Sequence, residues 1–465
     1  MVSLIRSLVK EHLEWLAAED VNLDDFAPRV IEKARSMQGR YSAFITINER
    51  LASEKTPKQQ MKLPFSVKDN ICTRGLRTTA GSKILDNYVP PFDATAVHQI
   101  KNAGGFVIGK TAMDEFGFGT FSTNCAYGAP KNPIDPSRVC GGSSGGAACV
   151  AAAAEFPHIA IAQSTGGSIT APAAFTGTVG MTPTYGRVSR WGLIDYANSM
   201  DRIGVIGKCV YDAALGLSMI AGYDPLDSTS LNAQKTDYTT LIGGDIRKLR
   251  IGVPKEYFNG DGSAVVKKNA LDLLQRLERF GVVWEEISLP YTKYAISAYY
   301  LIALAEASTN LAKFSGLRYG MEGDLDGNYE EYFADLRGRS FGEEAKRRII
   351  LGTYARMSGY RDAYYIKALK VRAKIIAEFK GAFARVDAIA TPSMPIIAPR
   401  FDDVEKLSPI DAYGMDRMTV PANLAGLPTI SVPSGSEGGM PTGVQFIADH
   451  ERDGMLIALA GACEA

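Results

Sequence analysis

Two serines in glycine-rich backbone are the residues of this chain best suited to chemistry. Ser144 lies in the run Cys140-Gly-Gly-Ser-Ser-Gly-Gly-Ala147, and Ser168 follows 24 positions later in Thr165-Gly-Gly-Ser-Ile169. Glycine has no Cβ, so the backbone N–H groups beside these serines can approach a ligand closely. A hydroxyl among convergent N–H groups has the parts of an acyl-transfer site, a nucleophile and an oxyanion hole.

Such a serine needs a base, because a hydroxyl is a poor nucleophile unless an adjacent group takes its proton. Histidine is the usual base, but the four histidines of this chain stand in no recognisable triad pattern. They are His12, His98, His158 and His450. Lys68, after the apolar run 63–67, is the other candidate. Its reference pKa of about 10.4 must fall by roughly 3 units, and burial causes such shifts. Spatial proximity is not visible in a sequence, so both bases remain open.

Each of these residues also has an ordinary structural interpretation. Ser144 precedes the alanine-rich stretch 147–154 and could cap a helix. Lys68 could be a surface lysine paired with Asp69. Two glycine-serine clusters within one α/β pattern favour a catalytic role for these residues over a purely structural one.

The segment Gly104-Gly-Phe-Val-Ile-Gly-Lys-Thr111 matches the pattern of a phosphate-binding loop. That loop requires a strand before it and a helix starting at the lysine. Here a helix is expected before Gly104, and Phe106–Ile108 are typical of a strand. We interpret the match as accidental; an ATP-binding module is the rival hypothesis that it leaves.

Short apolar runs alternate with helical stretches from residue 61 onward, which is typical of a layered α/β domain. Strands are predicted at 64–67, 106–108, 159–162, 388–390, 429–432 and 443–447, with helices at 94–103, 147–154 and 454–462. Residues 1–55 have helical periodicity, including the stretch 24–38. The alanine- and tyrosine-rich section 291–382 is expected to be a helical insertion.

Composition narrows the class of protein. The 465 residues include 51 Lys and Arg against 51 Asp and Glu, and the longest basic run is 346–348. A chain that grips nucleic acid by itself usually has a basic excess, so a partner is expected to do so. The six cysteines form no Cys-x-x-Cys pair, which argues against zinc and for a reducing, cytoplasmic location. No apolar run is long enough to predict a membrane span.

Taken together, these motifs resemble the amidase signature family, from about Lys62 to Ala460. The similar segments are Gly109-Lys-Thr-Ala-Met-Asp-Glu-Phe116, Lys131-Asn-Pro133 and the Gly141–Gly146 cluster. The resemblance implies one domain over 1–465, with a large central mixed β-sheet covered by helices on both faces. Its parts would be a helical N-terminal arm (1–55), a catalytic α/β core (56–290), the helical insertion (291–382) and a return to the sheet with a C-terminal helix (383–465).

The family's catalytic triad is matched here at Lys68, Ser144 and Ser168, with Ser168 as the nucleophile. The resemblance implies an oxyanion hole formed by Thr165, Gly166, Gly167 and Ser168. By motif position, Arg348 is expected to bind the α-carboxylate of glutamine and Asp416 its α-amino group. Tyr299, of the pair Tyr299–Tyr300, is expected to line the pocket. No metal is implied in this chain.

Within the family, the chain is most similar to the glutaminase branch of the tRNA-dependent amidotransferases. That similarity rests on the segments Pro183–Arg190, Arg347–Tyr354 and Ser358–Tyr365. It implies a glutaminase that forms a heterotrimer with two partners, subunits B and C. The first of these partners would use ATP and Mg²⁺, hold the tRNA, and amidate Glu-tRNA(Gln), Asp-tRNA(Asn) or both.

The chain departs from the family pattern beside the nucleophile. Ser164 stands where an aspartate is common, and Thr170 stands where an arginine is common. Both charges are missing together, so neither is left unpaired. A stand-alone amidase acting on small amides, and a scaffold with an inactive site, are the other hypotheses.

Overall fold

An eleven-stranded mixed sheet forms the centre of the fold. The computed structural model describes residues 7–18, 26–52, 63–324 and 327–465. The strands are β1 (Phe44–Ile47), β2 (Leu63–Lys68), β3 (Gly105–Thr111), β4 (Ile159–Ser164), β5 (Val179–Thr182), β6 (Arg202–Gly207), β7 (Arg250–Pro254), β8 (Val283–Ile287), β9 (Ala388–Pro392), β10 (Thr429–Glu437) and β11 (Met440–Ala448). Their order across the sheet is β1-β3-β2-β4-β6-β5-β10-β11-β9-β7-β8.

The helices follow the chain order. They are α1 (Leu8–Ala18), α2 (Phe26–Tyr41), α3 (Thr95–Asn102), α4 (Gly145–Ala153), α5 (Thr170–Thr176), α6 (Val210–Ile220), α7 (Lys255–Phe258), α8 (Ala264–Glu278), α9 (Ala295–Asn310), α10 (Tyr329–Ser340), α11 (Glu343–Arg356), α12 (Lys367–Phe383), α13 (Phe401–Val404), α14 (Pro409–Gly414), α15 (Val420–Leu424) and α16 (Asp453–Glu464).

Side-chain alternation along β4 shows why helices cover both faces of the sheet. Ile159 and Ile161 belong to the large core that also contains apolar residues of α3, α6, α8 and α16. Ala160 and Ala162 point the other way, into a small core with the alanines of α4. Successive strand residues face opposite sides, and small side chains on both elements let α4 lie close to the strand. The predicted α/β fold with a two-sided mixed sheet is confirmed.

Parallel pairing of β2 with β3 and β4 determines where the chemistry-bearing residues meet. Val67 lies opposite Ile161 on β4 and opposite Lys110 on β3. The carboxyl ends of parallel neighbours reach the same edge of a sheet. Lys68, at the end of β2, therefore lies beside the turn that follows β4.

The segment resembling a phosphate loop is strand β3, buried along its whole length. Lys110 donates to the carbonyl of Ile71 and, over 2.9 Å, to the hydroxyl of Thr78. Its buried amine is occupied by these protein partners, and the predicted strand at 106–108 is confirmed.

The N-terminal region differs from the helical prediction in one element. Residues 44–47 form β1, antiparallel to β3. Their sequence, Phe-Ile-Thr-Ile, is rich in β-branched residues and suits the margin of a sheet. Helices α1 and α2 fall in the predicted helical stretches, whereas residues 1–6 and 19–25 lie outside the described part.

Helices α9 to α12 lie in the section 291–382 and share a second core with α15. Helices α9 and α11 come into near backbone contact at Gly352. A Cβ added there would lie 1.9 Å from the carbonyl oxygen of Leu304. This contact determines how deeply α11 enters the molecule.

Strand β8 lies at one margin of the sheet and is paired only with β7 among the described strands. Its residues Val283, Glu285 and Glu286 are exposed to solvent. The opposite margin is formed by β1.

Candidate active site

Lys68 is a fully buried amine surrounded by oxygen atoms. Its Nζ lies 2.7 Å from the Oγ of Ser143 and 2.8 Å from the backbone carbonyl oxygen of Gln163. Burial lowers the pKa of Lys68 to about 7, although the carboxylates of Asp114 and Asp201 act in the opposite direction. Among the described residues, Lys68 forms no ion pair within 4.0 Å. The amine can therefore be uncharged near neutral pH.

The structure brings Ser143 to Lys68, whereas the sequence led us to expect Ser144. Ser144 directly precedes α4, and its Oγ donates instead to the carbonyl oxygen of Gln163 over 3.0 Å. The peptide bond between Gly142 and Ser143 is cis. Two adjacent serines are identical in residue type, and only the backbone path into α4 determines which hydroxyl faces the lysine. The expected contact of Ser144 with Lys68 is therefore corrected: Ser143 is the candidate for the middle residue of a triad.

Ser168 lies in the turn between β4 and α5 and retains 7% of its accessible surface. Within the described residues, its hydroxyl has no hydrogen-bond partner. The backbone N–H groups of Gly166, Gly167 and Ser168 likewise donate to no acceptor there. An accessible hydroxyl beside unpaired N–H groups provides the elements of a nucleophile and an anion-binding turn.

The glycines of this turn are required by close packing. A Cβ on Gly166 would lie 2.6 Å from the hydroxyl oxygen of Tyr299, and one on Gly167 would lie 2.1 Å from the Oγ1 of Thr419. Gly167 also has a φ of 155°, which favours glycine. The turn is thus held between α9 and the segment before α15.

Gln163 and Asp201 belong to the site but were not singled out from the sequence. The Oε1 of Gln163 lies 3.0 Å from the Nζ of Lys68, and its Nε2 donates to the Oδ1 of Asp201 over 3.0 Å. Thr165 donates to the same carboxylate oxygen over 2.6 Å. Burial raises the pKa of Asp201 to about 7. Neither residue stands in a recognisable motif, so no sequence signal could have identified it.

Arg348 enters the core from α11 and is surrounded by aromatic rings. Its Nε donates to the Oε1 of Glu344 over 2.7 Å, and its Nη1 donates to the hydroxyl of Tyr196. The guanidinium lies 4.9–5.5 Å from the ring centroids of Phe118, Tyr196, Tyr300 and Tyr413. Its Nη2 has no hydrogen-bond partner within the described residues. The four rings hold the guanidinium in place, and its Nη2 end is available to a ligand.

The structure connects Arg348 with Asp416 through Tyr300. The hydroxyl of Tyr300 donates to the Oδ2 of Asp416 over 3.0 Å, while its ring faces the guanidinium. Tyr299 lies on the other side, against Gly166. Burial raises the pKa of Asp416 to about 6. The three predicted substrate residues are thus in one region, and Tyr300 is the member of the tyrosine pair that bonds to Asp416.

Asp114 is a second buried acid near the lysine. Its carboxylate accepts from the backbone N–H groups of Ser122 and Asn124, each over 2.9 Å. Burial raises its pKa to about 6, while these bonds and the charges of Lys68 and Arg348 favour the ionised form. A Cβ on Gly142 would lie 2.2 Å from this carboxylate, so Asp114 also shapes the loop before Ser143.

The two departures from the family pattern are accommodated by neutral groups. The Oγ of Ser164 lies 3.5 Å from the Oδ1 of Asn423, and Arg202 donates to the same oxygen. The hydroxyl of Thr170 is buried without a hydrogen-bond partner in the described residues. Burial lowers the pKa of Arg202 to about 9. A neutral hydroxyl thus fills the position where an aspartate is common.

No group of three or more His, Cys, Asp or Glu side chains in the described ranges could hold a metal ion. No helix of those ranges is both long and apolar enough to cross a bilayer.

Comparison with known proteins identifies relatives over almost the whole chain. The profile of the amidase family matches residues 7–457. The A-subunit of glutamyl-tRNA(Gln) amidotransferase from Carboxydothermus hydrogenoformans is 45% identical over 468 residues, covering 98% of this chain and 96% of that protein. The protein of the same name from Methanococcoides burtonii is 48% identical over 403 residues, covering 86% and 84%.

A solved structure gives the same result. The crystal structure of the glutamyl-tRNA(Gln) amidotransferase A-subunit from Thermotoga maritima matches with a TM-score of 0.83 at 36% identity. The match covers 99% of this chain and 94% of that one. Since the profile, the sequence identities and the fold agree over nearly the full length, the chain belongs to the amidase family.

Proposed function

We propose that this chain is the glutaminase subunit of a tRNA-dependent amidotransferase. It hydrolyses glutamine and supplies ammonia for the amidation of Glu-tRNA(Gln), Asp-tRNA(Asn) or both. The names of the full-length relatives support this function. The observation that carries the chemistry is the buried Lys68 amine, 2.7 Å from the hydroxyl of Ser143.

Catalysis begins with an uncharged lysine. Lys68 accepts a proton from Ser143, which accepts one from Ser168, and the Oγ of Ser168 attacks the amide carbon of glutamine. The N–H groups of Gly166, Gly167 and Ser168, together with Thr165, stabilise the tetrahedral oxyanion. Removal of one such donor costs about 3–4 kcal/mol in other acyl-transfer enzymes. The proton returns to the leaving ammonia, and water then hydrolyses the glutamyl ester by the same route.

The α-carboxylate and α-amino group of glutamine provide its recognition. The available Nη2 of Arg348 suits the carboxylate, and Asp416 suits the ammonium group. Glu344 already pairs with Arg348. The substrate carboxylate therefore adds to a charge that is partly neutralised, and the surrounding rings exclude water. Tyr299 lies between this region and the nucleophile turn.

The partners in this proposal are subunits B and C, which complete a cytoplasmic heterotrimer. The first of them uses ATP and Mg²⁺ and holds most of the tRNA. The equal numbers of basic and acidic residues support this division of labour, because this chain has no charge excess of its own for the phosphate backbone.

Glutamate release from glutamine tests the proposal directly. We expect the chain to hydrolyse glutamine, and faster when subunits B and C are co-expressed and co-purified. The variant Ser168→Ala is expected to reduce turnover to background in both preparations. Hydrolysis of simple aliphatic or aryl amides without hydrolysis of glutamine in either preparation would favour the stand-alone amidase instead. An active Ser168→Ala variant would exclude the proposed nucleophile.

A further inference from the structure

The two carbonyl groups of Gln163 determine the direction of the Lys68 lone pair. A neutral amine has two N–H donors and one lone pair. The backbone and side-chain carbonyl oxygens of Gln163 lie 2.8 and 3.0 Å from the nitrogen, and a carbonyl can only accept. Two hydrogens are thereby assigned to Gln163. The remaining lone pair is directed at Ser143, whose hydroxyl is the neighbour that can donate a proton.

The side chain of Gln163 is itself held in a single orientation. Its Nε2 donates to the Oγ1 of Thr165 over 2.7 Å and to the Oδ1 of Asp201 over 3.0 Å. Asp201 is fixed in turn by the backbone N–H groups of Tyr196 and Ala197. A flipped amide would turn its oxygen to the Asp201 carboxylate and its nitrogen to the lysine. The network excludes that orientation, because like groups would then face each other.

We propose that Gln163 is a positioning residue that directs the lone pair of the neutral Lys68 amine at Ser143. This inference rests on the proposed function only in its use of Lys68 as the base. Gln163 is a neutral acceptor and adds no negative charge beside the lysine. The charged groups that face Lys68 are Asp114 and Asp201, from two other segments, and both favour the ammonium form. A carboxylate in place of the amide would add to their effect.

The test compares pH profiles of glutamine hydrolysis by the full chain in its complex. Gln163→Met keeps the size of the side chain and removes its acceptor. We expect roughly a tenfold fall in kcat with KM nearly unchanged, because lysine orientation is lost while the glutamine pocket is intact. Burial lowers the pKa of Lys68 to about 7, so we expect the acid limb of the parent pH–rate profile near that pH. In Gln163→Met this limb should stay or move to lower pH, since an acceptor that stabilises the ammonium is gone.

Gln163→Glu should move the acid limb in the opposite direction. The new carboxyl group faces Asp201 as well as Lys68, and the two acids can share a proton. Once this pair carries more than the single negative charge of Asp201, the added charge raises the pKa of Lys68. We expect the acid limb to move up by about one pH unit and activity to recover in alkaline buffer. If Gln163 acted only through the stability of the fold, both variants would have a lower maximal rate, and the acid limbs of their pH profiles would have the same midpoint.

Gln445→Met is the matched control, because Gln445 is another fully buried glutamine bonded through its Nε2. It should leave the midpoint of the acid limb unmoved. The inference is overturned if both Gln163 variants keep the parent plateau and midpoint, or if both lose activity with unmoved midpoints.

Labelling of Ser168 by phenylmethylsulfonyl fluoride separates this inference from the proposed function. The Oγ–sulfur bond forms, the sulfur–fluorine bond breaks with release of fluoride, and the serine proton passes through Ser143 to Lys68. The labelling rate is followed by mass spectrometry as a function of pH. The midpoints of its acid limb should rank the parent and the two Gln163 variants in the same order as glutamine hydrolysis does. Ser168→Ala is the blank. Labelling without glutamine hydrolysis would reject the glutaminase and still test Gln163, since identical labelling profiles would overturn the inference.

Discussion

At the scale of single residues, the proposed mechanism uses one of two adjacent serine hydroxyls. Ser143 bonds to Lys68, and Ser144 bonds to a carbonyl of β4. We expect Ser143→Ala to lower kcat for glutamine by roughly 10²–10⁴-fold, because the proton relay is broken. Ser144→Ala should cost less than about tenfold, since one hydrogen bond of about 1 kcal/mol is lost. Steady-state kinetics of the two variants, prepared in the same complex, provides the check.

A larger loss in Ser144→Ala than in Ser143→Ala would contradict this assignment. Thermal unfolding serves as the control, because it shows whether either serine acts only through stability. The sequence identified the glycine-serine cluster, Lys68 and Ser168. It could not choose between two identical neighbours, and it gave no sign of Gln163 or Asp201. Those two residues act through hydrogen bonds across the fold, which spacing along the chain does not record.

At the scale of elements, the alternation of apolar runs and helical stretches predicted the layers and several strands. Strands β5 to β8 were not predicted. The exposed and charged residues of β8 give no apolar run, and β5 has only four residues. The apolar run at residues 44–47 is too short to be recognised as a strand directly after the helical pattern of α2. The antiparallel order of the middle strands follows from long-range pairing, which local patterns cannot specify.

The close contact between α9 and α11 positions Arg348, which we propose binds the substrate. Gly352→Ala would bring a methyl group against the backbone of Leu304 and push α11, with Arg348, outward. We expect a loss of about 1–3 kcal/mol in the free energy of unfolding and a raised KM for glutamine. Denaturant unfolding and steady-state kinetics measure the two effects.

Gly338→Ala in α10 is the matched control, because a Cβ there meets nothing within 4 Å. Alanine is the better helix former, so this variant should be more stable by about 0.5–1 kcal/mol, with an unchanged KM. Equal stability and equal KM in both variants would show that the α9–α11 contact does not position Arg348.

At the scale of the whole molecule, the proposed division of labour separates ammonia production from amidation. In the assembled complex, Ser168→Ala should abolish glutamine-dependent amidation of the misacylated tRNA. Ammonium chloride should restore it, because added ammonia replaces the missing product. Formation of amidated aminoacyl-tRNA from each nitrogen source is the measurement. An intact complex that fails with ammonium while the parent complex succeeds would argue against ammonia transfer to a partner.

The exposed margin formed by β8 has a consequence for how copies of the chain meet. An edge strand offers its unpaired backbone groups to any similar strand, and at this margin the edge is the five-residue strand β8. Glu286, and Glu285 in its ion pair with Arg250, place charged groups along this edge and make that approach unfavourable. Replacement of both glutamates by threonine would leave the proposed catalytic residues unchanged and make β8 an edge through which copies of the chain associate.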